Sequence, residues 1–336
     1  MTLKQNLTID DIARELGVSK TTVSRAISGK GRISAATRQR VQEYIEERNY
    51  RPSAAAKGLA ESRTYNLGLV LPRSFIQLDL PYIRKSMNAI CEEAFLWDYN
   101  ILLCLSTDDD PGFLRRTLDN RKVDGVILAR TVANDVLVEI LADRGIPFAT
   151  MGSLPPNNRG MAAVEADNDQ VGGCRAFTKG FLEHDRRKAA ILGNDLQYIV
   201  NQSRLAGFRQ ATQELGYAPE DVVIATGLRN AATCGEAVDW ALAQGVKNFV
   251  TMDEELCRWL LHRLDELGLS VPRDVRVGSL YDSEDLASHG PPISALQFDA
   301  AELGRVTCRE LLLAMREEPY DPRPLLGYQI NLRDKG

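Results

Sequence analysis

The chain has 336 residues, 44% of them hydrophobic and 26% charged, with a formal net charge of −5. That length exceeds a single typical domain, and that apolar content supports a sizeable core, so two or three folded units are expected rather than a disordered chain. No stretch near the start has the apolar character of a secretory signal and no run approaches a bilayer span, so a cytoplasmic protein without a membrane partner is expected.

The total charge hides an asymmetry. Residues 1–63 hold 12 Lys+Arg against 7 Asp+Glu, while the remainder holds 29 against 39. A basic head on an acidic body implies that only the head meets a polyanion. Cys91, Cys104, Cys174, Cys234, Cys257 and Cys308 are scattered without a CxxC pair and read as reduced core residues. His184, His262 and His289 are isolated as well. No metal site, nucleophile triad or cofactor is expected.

In chain order, Thr8 is placed to N-cap a first helix, with Asp11 at capping-box spacing. Ile12, Ala13 and Leu16 give that helix an apolar face, and Gly17 supplies the turn. Ser19 N-caps a second helix in which Val23 and Ile27 face inward, leaving Lys20, Thr21, Ser24, Arg25 and Ser28 outward. A polar and cationic face of this kind suits a helix that enters a major groove and reads base edges. An ordinary three-helix subdomain with a solvated face is the plainer alternative. Ser34 opens a third helix whose Val41 and Ile45 close the small core.

The next segment, 51–60, places Pro52 at a first helical position and continues with alanines. It is shorter than the roughly 12–15 residues an isolated helix needs in water, and Gly58 weakens it further. Such a piece is expected to order only against DNA and a partner copy, unless it is a plain linker with an incidental leucine.

From Thr8 through GVSKTTVSRAISG at 17–29 to Leu59 and Ala60, the chain resembles the head and hinge of the lactose-repressor/galactose-repressor family of bacterial regulators. The resemblance implies a helix-turn-helix domain at 1–50 and a hinge helix with linker at 51–63. On that pattern Lys20, Thr21 and Arg25 read bases, while Ser19, Ser34 and Thr37 hold phosphates. Thr8, Thr22, Ser24, Ser28, Arg32, Tyr50, Ser53, Ala56 and Lys57 complete the DNA-contacting set. Leu59 matches the family's leucine that wedges open a base step in the minor groove.

Beyond the hinge, short apolar runs at 67–71, 101–105, 125–129, 148–151, 189–192, 222–225, 249–252 and 275–280 alternate with helical stretches such as 82–97 and 202–215. Near-continuous apolar strands alternating with helices predict a doubly wound α/β body. The number of units exceeds one open sheet, so two lobes are expected, at about 65–164 and 165–291. The resemblance covers nearly the whole chain, and the family's body is similar to periplasmic sugar-binding proteins. Its landmarks here include 123–128, Asp167-Asn168, 204–208 and 290–293. It implies an effector-binding and dimerisation domain at 64–336, with 295–325 returning to the first lobe and 326–336 to the second.

Ligands of open α/β sheets sit beyond the carboxyl ends of strands. That rule nominates 75–82, 106–109, Arg130, 152–153, 198–204, 252–253 and 281–282. Arg204 matches the family's effector-binding arginine; an exposed helix-start arginine is the plain alternative. Elsewhere the pattern departs: Gly152, Met252 and Tyr281 stand where sugar-binding members often carry Asp, Asn and Asp, and Phe298 where a polar residue is frequent. Tyr82, Tyr281 and Phe298 would then stack on an apolar ligand face. A one-residue shift in the correspondence would instead bring Asp282 or Asp253 to the cleft. The expected effector is a small polar metabolite, a sugar or sugar acid.

The function expected is a sequence-specific DNA-binding transcriptional regulator, a repressor, acting as a homodimer on a pseudo-palindromic operator. The chain stops without an added heptad repeat, which favours a dimer over a tetramer. Whether effector releases or recruits DNA stays open. Two rivals remain: an enzyme on the same α/β body, and an architectural DNA-binding protein without a ligand. Against the enzyme, neither GxGxxG nor GxxxxGK[ST] follows a strand.

Overall fold

Three hydroxyl side chains set where the N-terminal helices begin. Thr8, Ser19 and Ser34 each accept a hydrogen bond from the backbone amide three residues on, opening α1 (Ile9–Leu16), α2 (Lys20–Ser28) and α3 (Ala35–Glu47). Gly17 ends α1 in the left-handed region at φ 63°, which lets the chain turn directly into α2. Ile12, Ala13, Val23, Ala26 and Val41 form the buried core of this small unit. Ile27 and Ile45, expected to face inward, are only half-buried, and Ala26 takes the deeper position against the core.

This computed structural model describes residues 7–29, 31–48, 50, 58, 61–72, 81–106 and 111–333. Of the expected hinge and linker at 51–63 only Gly58 and residues 61–63 fall within them, so Ser53, Ala56, Lys57 and Leu59 lie beyond the described residues. The chain divides into two compact units, Met1–Thr64 and Tyr65–Gly336.

The larger unit contains two six-stranded sheets. The first uses β1 (Asn66–Pro72), β2 (Asn100–Ser106), β3 (Gly125–Leu128), β4 (Phe148–Met151), β5 (Val164–Asn168) and β11 (Leu325–Leu326). Their spatial order is β11-β5-β4-β3-β1-β2, all parallel. The second uses β6 (Ala189–Leu192), β7 (Val222–Ala225), β8 (Asn248–Thr251), β9 (Arg276–Ser279), β10 (Ser294–Gln297) and β12 (Gln329–Asn331). Its order is β12-β10-β9-β8-β6-β7, parallel except for the antiparallel β10–β12 pair.

Strand periodicity explains how one sheet buries both faces. Leu67, Leu69 and Leu71 of β1 join one core, while Val70 joins another on the opposite face. In the second lobe, Phe177, Phe181, Phe208 and Phe249 are fully buried, with the rings of Phe177 and Phe181 stacked at 5.8 Å.

The expected division of the lobes needs two corrections. Residues 164–168 extend the first sheet instead of starting the second lobe, because β5 pairs with β4 along Ala149↔Val164 to Met151↔Ala166. Its buried Glu165 hid the strand from an apolar-run reading, yet that carboxylate accepts the amides of Leu154 and Gly160. Residues 295–297 belong to the second sheet, since Ala295 pairs with both Ser279 and Asn331. The return to the first lobe is made instead by the helix that follows, α12 (Ala300–Ala314), and by β11 beside β5. One cysteine also departs from expectation: Cys91 is exposed, while the other five are buried and all six are free.

Two helix pairs approach with backbone nearly in contact. α7 (Gln170–Leu182) packs on α8 (Ile199–Glu214), and α4 (Pro81–Leu96) packs on α12. A β-carbon at Gly207 would lie 2.6 Å from the Val171 carbonyl oxygen, and one at Gly304 would lie within 3.0 Å of Ser86 backbone atoms. Gly304→Ala should therefore destabilise the body by roughly 1–3 kcal/mol through overpacking. Gly327→Ala, with nothing within 4 Å of its β-carbon, should be nearly neutral. Chemical denaturation of the two variants checks the contrast.

Candidate nucleic-acid interface and ligand cleft

The outer side of α2 carries exposed Lys20, Thr21, Ser24 and Arg25, with Arg32 exposed just beyond it. The Lys20 ammonium stands 2.5 Å from Asp10 Oδ1, in a pair whose side chains are both largely solvated. Such a surface pair is weak and readily exchanged for a polyanion. The stem of Arg25 lies over Gly31, where a β-carbon would stand 3.0 Å from Arg25 Cδ. Gly31 has φ +89°, so the sharp turn after α2 both needs glycine and leaves room for the arginine.

The hydroxyl residues of the expected phosphate set are built into the helix starts. Ser19 Oγ accepts from Thr22 N at 3.1 Å and pairs with the Thr22 hydroxyl at 2.8 Å. Ser34 repeats this with Thr37 at the same distances. Thr8 and Asp11 close a full capping box, the Thr8 amide donating to Asp11 Oδ2 at 3.0 Å. Tyr50 is half-buried against the head core, and the side chain of Ser28 lies outside the described residues.

In the larger unit, a cavity of about 210 Å³ lies at the carboxyl ends of strands from both sheets. Tyr82, Arg130, Gly152 and Asp167 line it from the first lobe, and Asn194, Tyr198, Arg204, Asp253, Glu254 and Tyr281 from the second. The Tyr82 and Tyr281 rings meet edge to face at 5.6 Å, and Asn168 Nδ2 donates to the Tyr82 hydroxyl at 3.0 Å. Burial raises both tyrosine pKa values. Arg204 donates to the Met252 carbonyl at 2.7 Å and to Gln170 Oε1 at 3.3 Å. The Arg130 guanidinium lies over the Tyr198 ring at 5.0 Å. Beside it the lobes exchange backbone hydrogen bonds, Ala133 N to Gln197 O at 2.9 Å and Ile199 N to Thr131 O at 3.2 Å.

Of the expected effector residues, Tyr82, Arg130, Arg204, Asp253 and Tyr281 are brought together around this cavity. Three are not. The Met252 side chain is fully buried in the second-lobe core and offers only its carbonyl to Arg204. Asp282 turns to Arg333, whose two terminal nitrogens stand 2.8 and 2.6 Å from its oxygens. Phe298 packs within the second-lobe core. The aromatic stack expected from three rings is therefore made by two.

Asp167, Gln170, Asn194 and Glu254 were missed. Asp167 lies in β5, the strand hidden by Glu165, Gln170 follows it, and Asn194 stands just beyond β6, where the strand-end rule would have found it. Asp167 Oδ2 accepts from the Ser153 amide and hydroxyl at 2.9 and 2.8 Å. Burial nevertheless pushes its carboxyl above the usual range. Among the described residues, no cluster of His, Cys, Asp and Glu could hold a metal ion, and no helix is long and apolar enough to cross a membrane.

Residues 8–53 match the model for bacterial regulatory proteins of the lacI family, and residues 178–334 match the periplasmic binding protein-like domain. Catabolite control protein A of Staphylococcus xylosus is 24% identical over 97% of this chain and 98% of its own length. The lac repressor dimer bound to operator and the anti-inducer ONPF shares the fold, with a TM-score of 0.80 at 20% identity over 98% of each chain. The transcriptional regulator CelR–cellobiose complex does so with a TM-score of 0.74 at 24% identity, over 98% of this chain and 100% of that one.

The capping box gives a testable pH signature. The Thr8 hydroxyl, and then its amide, hold the Asp11 carboxyl below the ordinary range. A depressed folded pKa stabilises the head at neutral pH, and that contribution is lost as pH falls through the folded value. In Thr8→Ala, the Asp11 titration followed by NMR should move back up. Ser19→Ala should cost the head about 1 kcal/mol in a denaturation series, by removing the cap of α2.

Proposed function

We propose that the chain belongs to the lacI family of bacterial regulatory proteins and is a repressor whose grip on operator DNA is set by a small metabolite held between the lobes of its body. One observation carries the reading. A separate three-helix unit with an exposed cationic helix face is joined in the same chain to a two-lobed body enclosing a ligand-sized cavity.

Lys20, Thr21 and Arg25 read base edges in the major groove, and the starts of α2 and α3 hold phosphates through backbone amides and capping hydroxyls. A single small head supplies limited specificity, so two copies of the chain bind a pseudo-palindromic operator. By the resemblance, Leu59 is the residue assigned to wedge the minor groove. In the body, Arg204 and Arg130 donate to the effector while Tyr82 and Tyr281 cover its apolar face. The ligand is a sugar-like polar metabolite, it leaves the cleft unchanged, and the protein works in the bacterial cytoplasm on the nucleoid.

Arg25→Ala should weaken operator binding by roughly 1–3 kcal/mol and relax preference at one base pair, measured by competition binding against a site library. Unaltered affinity and preference would remove Arg25 from the reading set. Control by ligand makes a second demand: effector and operator must shift each other's affinity by the same factor. Arg204→Ala should bind operator like the ligand-free wild type and lose that mutual shift. Independent isotherms in the wild type would overturn regulation while leaving DNA binding in place.

A further inference from the structure

Charge and hydrogen-bond demand are unevenly distributed around the cleft. The guanidinium of Arg204 already serves the Met252 carbonyl and Gln170, and it stands beside Asp167, lowering the burial-raised carboxyl of that residue. Arg130 lies on Tyr198 and acts on the carboxylate of Asp135. The hydrogen bonds of Arg204 are thus taken up by groups of the protein.

The start of α10 (Glu254–Glu266), next to the Met252 carbonyl that Arg204 bonds, brings Asp253, Glu254 and Glu255 to the cavity. Asp253 is satisfied: Oδ1 accepts from the Leu256 amide at 2.9 Å and Oδ2 from Asn194 Nδ2 at 2.7 Å. That second bond fixes the Asn194 amide so that its oxygen is an acceptor, and Asn194 Oδ1 is buried without a hydrogen-bond partner. Glu254 is only 6% exposed; Ser283 hydrogen-bonds its carboxylate, and its Oε2 alone is buried and unpartnered. Helix-start electrostatics account for carboxylates on this turn. They do not account for turning one inward and leaving its oxygen without a donor, which is costly unless something else supplies one.

We propose that the effector is a polyhydroxylated molecule bearing a protonated amine, an amino sugar in its simplest form, with the ammonium seated between Glu254 Oε2 and Asn194 Oδ1. An ammonium brings several donors on one atom and adds positive charge to a turn of three carboxylates, two of which already feel Arg258. A neutral hydroxyl supplies a donor without the charge, and a sugar acid sets a second carboxylate against this wall. The ring hydroxyls then lie toward Arg204 and Arg130, and the apolar ring face lies on Tyr82 and Tyr281. This rests on the reading of the cleft as the effector site and replaces the open choice of sugar or sugar acid with one charge class.

The test is calorimetry on the full chain with matched probes: glucosamine against glucose, galactosamine against galactose, and glucuronate and galacturonate as the acids. An amino sugar should bind roughly ten-fold or more tightly than its neutral counterpart. Glu254→Gln keeps the shape and removes the charge, so it should erase most of that preference; Glu255→Gln, farther out on the same turn, should reduce it in part. A neutral sugar or an acid that binds as tightly as its amino partner, or a preference that survives Glu254→Gln in a folded protein, overturns the proposal. Either result still leaves an occupied cleft and the regulatory reading intact. Binding by none of the probes, with no shift of operator affinity by any, overturns both.

Discussion

Neither sheet of the body is built from one continuous stretch of chain. The first is finished by β11, which arrives after five strands of the second are in place, and the second is finished by β12, which arrives after α12 has packed on the first lobe. The chain therefore crosses between lobes three times, between β5 and α7, between β10 and α12, and between β11 and β12. Each lobe is internally stiff where backbone meets backbone, at Gly207 in one and Gly304 in the other. Any movement of one lobe against the other would have to be absorbed at these crossings. The cleft sits where such movement has most effect, at the carboxyl ends of both sheets.

The cleft is also bridged by the protein's own groups. Tyr82 reaches Tyr281, and the 131–133 segment exchanges backbone hydrogen bonds with 197–199 at the side where Arg130 covers Tyr198. A ligand entering between these contacts competes with them or adds to them, and only that difference can shift the lobes. Regulation of this kind depends on the balance between cross-lobe protein contacts and cross-lobe ligand contacts, not on tightness of binding alone.

The head follows a different economy. Its core is five small or branched residues, so the positions of its helices depend heavily on the caps at Thr8, Ser19 and Ser34. The capping groups at the starts of α2 and α3 also lie on exposed helix ends that attract anions. Those hydroxyls have a structural role as caps, so an alanine scan there must separate stability from any change in affinity.

The sequence by itself determined the head almost completely. Caps, turn glycine, inward apolar positions and outward cationic face are all local, set within a few residues by helix geometry, and GVSKTTVSRAISG carries them in one run. It also determined eight strands of the body, since a strand buried on both faces must be apolar throughout. Tertiary structure decided the rest. Residues 164–168 became a strand because Glu165 found amides to bond, and 295–297 joined the second sheet because its neighbours there came from distant β9 and β12. Arg204, Tyr82 and Tyr281 were legible at the cleft from strand ends and resemblance, but the fates of Asp282 and Phe298 were not. A carboxylate faces a cleft or a salt bridge according to where a partner arrives, and Arg333 is brought to Asp282 by the final crossing of the chain.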